Sequence, residues 1–342
     1  MKCLPVVLGL LLLAGCADPQ PYVTSQRLER GLVIVLPGIE GRSQLNRAIC
    51  RGLFEGGVDC AIELYDWTSS WGLLYNLRAT DRNWRKAEHL ADKITRYRMA
   101  CPGRPVFLVG QSGGGAIAVW TAERLGPGQK VDGIVLLAAS LSPYYMLDMA
   151  IRNSRRGVVS FHSSRDWFLV GTNVTGTMDG EMTSSAGRTG FLYPETASRP
   201  KSYARLYQVP WDRQMARAGH TGGHLTSGAA TFVAMYVAPL VSADRWDEES
   251  VDRVMRRTSA PASAPASEPA VPRVGRGLGM TRPAATTRPG PTTASAPTSR
   301  PVLRPPPSPA TRPAARPEPQ PAFRPATRPS GGSRPSRRDV FD

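Results

Sequence analysis

The sequence predicts an α/β fold, a mostly parallel sheet with helices on both faces, from three observations. Continuously apolar runs such as Leu32-Val33-Ile34-Val35-Leu36 lack the alternation of a half-solvated strand, as expected where both faces are covered. These runs alternate with stretches of helical periodicity, the pattern of βα units. Roughly 235 residues lie between two compositionally distinct ends, a length that suits one large α/β domain.

In chain order, residues 31–36 read as a buried strand and 46–54 as a helix. Residues 60–64 read as a second strand, followed by a Trp-rich loop and a charged helix over about 81–99. A strand then runs into Gly110, with a helix to about 125, and 133–138 form the next strand. A helix over 145–153 precedes a strand at 157–162, and a weaker strand at 204–209 and a helix at 229–240 complete the series. The α/β domain is set at 29–242. It follows a signal peptide at 1–15 and a linker at 16–28, and precedes a charged connection at 243–258 and a tail at 259–342.

The ends are different material. Met1-Lys2 precedes an apolar run, Leu4 to Leu13, too short to span a bilayer and closing on Leu13-Ala14-Gly15-Cys16, the form of a secretory signal. The tail holds 20 of the 32 prolines and 13 arginines against 4 acids, so it supplies +9 of the net +16. A chain that rich in proline, with almost no aromatic residue except Phe323 and Phe341, cannot bury a core and is expected to be disordered and extended. Its arginines suit non-specific contact with anionic envelope polymers, and no nucleic-acid partner is expected of an exported chain. Cys50, Cys60 and Cys101 remain for the domain. Export permits one disulfide among them, with all three pairings open, and no Cys/His spacing fits a structural metal.

The chemistry concentrates at Val106-Phe107-Leu108-Val109-Gly110-Gln111-Ser112-Gly113-Gly114-Gly115, which reads as strand, sharp turn and helix with Ser112 at the apex. A serine hydroxyl needs a neighbouring base and N–H donors for the oxyanion, and glycines at 110 and 114 let the backbone turn tightly enough to supply both. A phosphate-binding loop is excluded, because Ala116 and Ile117 stand where its lysine belongs.

With an acid and a histidine following in the order Ser, Asp, His, the stretch from about 32 to 240 resembles the α/β-hydrolase family, and Leu13-Ala14-Gly15-Cys16 resembles the bacterial lipobox. The first resemblance implies an α/β-hydrolase fold without a large cap domain and a cofactor-free serine hydrolase. Ser112 is its nucleophile, Asp166 its acid, with Asp148 the competitor, and His224 its base, with His220 the alternative. His89 and His162 read as structural. The oxyanion donors are the N–H groups of Gly113 and Ile39, although Pro37-Gly38 replaces the usual His-Gly. The Trp67, Trp71, Leu73, Leu74 and Tyr75 cluster is read as an overhang for an apolar acyl or aryl group, as core, or as a membrane-facing anchor. The second resemblance implies lipidation of Cys16 and tethering of the chain to a membrane in the bacterial cell envelope. A small or lipid-like ester is the expected substrate. The competing reading is a non-catalytic envelope lipoprotein that binds anionic polymers through its tail.

Overall fold

A computed structural model describes residues 21–167, 175–193 and 201–257. The signal peptide, Cys16 and the 259–342 tail lie outside the described residues, and so do the structural expectations attached to them. Six strands, β1 (Leu32–Leu36), β2 (Ala61–Leu64), β3 (Val106–Gln111), β4 (Gly133–Leu137), β5 (Val158–His162) and β6 (Leu206–Pro210), form one sheet in the order β2-β1-β3-β4-β5-β6. Every pairing is parallel.

Apolar runs are continuous because the sheet is buried on both sides. Leu32, Ile34 and Leu36 of β1 enter one core, whereas Val33 and Val35 enter the other. The first core is closed by α2 (Leu73–Arg78), α3 (Thr80–Ala100), α4 (Gly113–Glu123) and α5 (Asp148–Arg152). Helix α1 (Gln44–Glu55), capped by the Ser43 hydroxyl accepting from Asn46 N–H, lies with the last described helices on the second. In α3 the buried positions Asn83, Ala87, Leu90, Ala91, Ile94 and Tyr97 fall on one stripe, while residues 113–122 of α4 are all buried.

The differences from the sequence reading have local causes. Helix α2 lies in the stretch expected to be a loop. It is six residues long and exposes Leu73, Leu74 and Tyr75, so no amphipathic period marks it. The helix expected over 229–240 is broken into Ala230–Phe232, a π-turn at Val233–Val237 and Ala238–Ser242. Pro239 cannot donate to a carbonyl one turn back, and the wider turn just before it accommodates the missing bond.

The flanks of the domain are also packed. Tyr22 stacks on Phe54 at 4.8 Å, and its carbonyl accepts from Ile62 N–H at the β2 edge. Within the stretch read as a connection, Trp246 is buried beside Phe107, and α6 (Glu248–Arg257) sets Val251 into the second core. Cys50, Cys60 and Cys101 are all buried. Cys101 belongs to one core and Cys50 and Cys60 to the other, so of the three pairings left open the two that involve Cys101 would have to cross the sheet.

Candidate active site

The apex of the β3–α4 turn forces Ser112 into φ 52° and ψ −119°, a region that L-residues rarely adopt. The surroundings over-determine it. Ser112 N–H donates to Leu137 O at 2.9 Å, and Ser112 O accepts from Gly115 and Ser140 N–H at 3.0 Å each. The glycines are needed for close approach: a Cβ on Gly110 would lie 2.5 Å from Gly114 O, and one on Gly114 would lie 2.1 Å from Leu36 O. The turn after β1 is thereby pressed directly against the elbow.

The carboxyl ends of β5 and β6 bring the other two groups to Ser112. His224 Nε2 lies 2.9 Å from Ser112 Oγ, and His224 Nδ1 lies 2.8 Å from Asp166 Oδ2. An ionised carboxylate only accepts, so Nδ1 carries the proton and Nε2 is left with a lone pair for the serine hydroxyl. Relative exposures of 5% for Ser112, 1% for Asp166 and 6% for His224 keep water from competing for these bonds. The Ser227 hydroxyl donates to His224 O at 2.8 Å and Thr226 to Gly223 O at 2.8 Å, which fixes the loop that holds the imidazole.

The alternatives have other partners. His220 Nδ1 lies 2.9 Å from Thr226 Oγ1, its ring packs 4.7 Å from that of Phe232, and its carbonyl accepts from Trp211 Nε1 at 2.7 Å. Asp148 accepts from the Ser202 hydroxyl and pairs with Arg152 on the next turn of α5. His89 is exposed on α3, and His162 ends β5 next to Gly190.

Burial pushes the His220 pKa down to about 4, with the charge of Asp166 opposing the shift. Between about pH 4 and 6.5 the unfolded chain takes up a proton that the folded state refuses, so stability present above pH 6.5 is lost as pH falls. His220→Gln removes that titration. The parent's stability relative to the variant, measured by urea unfolding, is expected to fall by roughly 2 kcal/mol between pH 7 and pH 4.5. A difference independent of pH would contradict it.

The two oxyanion candidates belong to neighbouring turns. Ile39 Cγ2 would be 2.8 Å from a Cβ on Gly113, so the residues touch. Neither Ile39 N–H nor Gly113 N–H has an acceptor among the described residues. Carbonyls on the far side of the turn are all engaged: Pro37 O accepts from Trp67 Nε1 at 2.8 Å, Gly38 O from Gly41 N–H at 3.1 Å, and Ile39 O from Asn76 Nδ2 at 2.9 Å. A trans peptide points its N–H opposite its carbonyl, so the Gly38–Gly41 bond fixes the direction of Ile39 N–H. Sequence reading missed Trp67 and Asn76 in this role. The one available signal was a polar residue flanked by leucines and tyrosine in α2. Among the described residues no group of three His, Cys, Asp or Glu side chains could hold a metal ion.

No protein-family model matches the chain, and no curated protein matches it. Among solved structures it is similar to lipase B of Aspergillus fumigatus, at 11% identity and a TM-score of 0.43, over 70% of this chain and 59% of that one. The chain thus spans less than two thirds of the lipase's length. It is also similar to a protein from Thermus thermophilus, at 17% identity and TM-score 0.36 over 63% of this chain and 90% of that one. A lipase-esterase related protein from Clostridium acetobutylicum matches at 11% identity and TM-score 0.36, over 61% and 93% of the two chains. Six parallel strands in the order β2-β1-β3-β4-β5-β6, helices on both faces and a strand–turn–helix elbow after β3 make this the α/β-hydrolase fold.

Proposed function

We propose that the chain is an exported, membrane-tethered serine hydrolase that cleaves an ester or related acyl bond through an acyl-enzyme. The observation that carries this reading is the pair of bonds at 2.9 and 2.8 Å linking Ser112, His224 and Asp166 at a strained elbow. In this reading Ser112 Oγ attacks the acyl carbon while His224 Nε2 takes the hydroxyl proton, and the carbonyl π pair moves onto oxygen. Gly113 and Ile39 N–H donate to that oxyanion. Its collapse breaks the bond to the leaving alkoxide, which takes the proton from His224. Water then repeats the sequence, giving its proton to His224, and the acid leaves with Ser112 restored. Asp166 holds the imidazole in one tautomer and stabilises the imidazolium formed in each half-reaction.

Lipidation of Cys16 supplies the tether in this proposal, and the envelope is its location. A fluorophosphonate reagent tests the chemistry. The folded parent is expected to be labelled at one stoichiometric site, and Ser112→Ala to take up none. A folded parent that refuses the reagent would overturn the reading.

A further inference from the structure

The loops that supply the site residues carry bare apolar side chains right beside them. Trp167, next to Asp166, is 82% exposed, and Leu225, next to His224, is 63% exposed. On the third side, Trp71 and Leu74 are 80% and 61% exposed at the start of α2, the helix whose Asn76 holds Ile39 O. These side chains lie in the three segments that follow the carboxyl ends of β2, β5 and β6. Trp71 stands against Tyr75 with ring centroids 5.4 Å apart, which stiffens the tip. Each of the two segments that bear these tryptophans also carries an arginine. Arg78 ends α2, Arg165 precedes Asp166 with its guanidinium 5.0 Å from the Trp211 ring centroid, and neither forms an ion pair among the described residues.

Separate apolar tips with cations in the same segments fit a layered partner, in which tryptophan and leucine reach the acyl boundary and arginine meets anionic headgroups. We propose that the mouth of this site seats on an anionic phospholipid surface, so that its substrate is a membrane-resident acyl lipid entering from the bilayer plane. This rests on the hydrolase reading for the substrate, although the docking itself needs no catalysis. Trp67 takes no part, being fully buried against the oxyanion turn.

The test uses the full chain and vesicles of phosphatidylglycerol and phosphatidylcholine, with and without dibrominated acyl chains. Tethering alone leaves the tips in water, whereas seating puts Trp71 and Trp167 within contact quenching of the bromines. Brominated vesicles are expected to quench the parent's fluorescence, with most of that quenching absent from Trp71→Phe/Trp167→Phe. In Trp71→Ser/Trp167→Ser, hydrolysis of a vesicle-borne acyl ester is expected to fall at least about tenfold while that of a soluble short-chain ester stays within about twofold. Absence of quenching, or equal loss on both substrates, would overturn the proposal, as would a protein partner covering the tips. Quenching by a chain that refuses the fluorophosphonate would instead retain the docking and sink the hydrolase reading.

Discussion

His224→Gln is expected to lower kcat/KM for a soluble ester by about 10⁴- to 10⁶-fold, because Ser112 Oγ then has no base to take its proton. Glutamine fills similar space and its amide donates to Asp166, so the buried carboxylate keeps a partner and most of the stability is retained. Combining it with Ser112→Ala should cost little beyond either change alone, since the two groups act as a unit. The measurements are steady-state kinetics on the single and double variants, with thermal unfolding to verify folding. A loss below about tenfold in a folded His224→Gln protein would remove the imidazole from the mechanism. His220→Gln provides the comparison, because His220 bonds to Thr226 and packs on Phe232 instead of approaching Ser112.

Gly114→Ala is expected to be the most damaging change of a single methyl group. The added carbon would sit 2.1 Å from Leu36 O and 2.4 Å from Pro37 O, and both contacts are to main chain that cannot swing aside. Relief requires the end of β1 and the turn bearing Ile39 to withdraw from the elbow. A stability loss of about 3 kcal/mol or more is expected, with loss of ester turnover in whatever remains folded. Gly126→Ala is the control, since its methyl would meet only Gln129 at 3.9 Å and should change stability by less than about 0.5 kcal/mol. Urea denaturation of the two variants beside the parent decides the matter. Equal midpoints would mean that the turn and elbow are not pressed together.

The strands were legible because burial on both faces writes itself as uninterrupted apolar residues, as in Leu32–Leu36 and Gly133–Leu137. Ser112 was legible for a related reason: glycine is required where β3 crosses α4, and that leaves a local pattern. The two histidines of residues 220–224 could not be separated by spacing, since both lie in one short glycine-bearing loop. Their difference is tertiary, made by Thr226 and Phe232 engaging His220 while the loop aims His224 at Ser112. The anchors of the turn after β1 were hidden for the same reason. Asn76 acts on a carbonyl 37 residues away, and its short helix shows solvent the leucines that would have marked it as helical. Pro239 gave a local hint of the broken last helix, but an apolar period running through it masked the π-turn.

The three buried cysteines bear on how the chain matures. Cys50 and Cys60 are held protonated by burial, their pKa values pushed up to about 12 and about 11, and a thiol without its thiolate is a poor partner for oxidation or exchange. Cys101 is equally enclosed, in the opposite core from the other two. Once packed, Cys50 and Cys60 therefore present little thiolate to oxidants in the surroundings in which the domain is assembled.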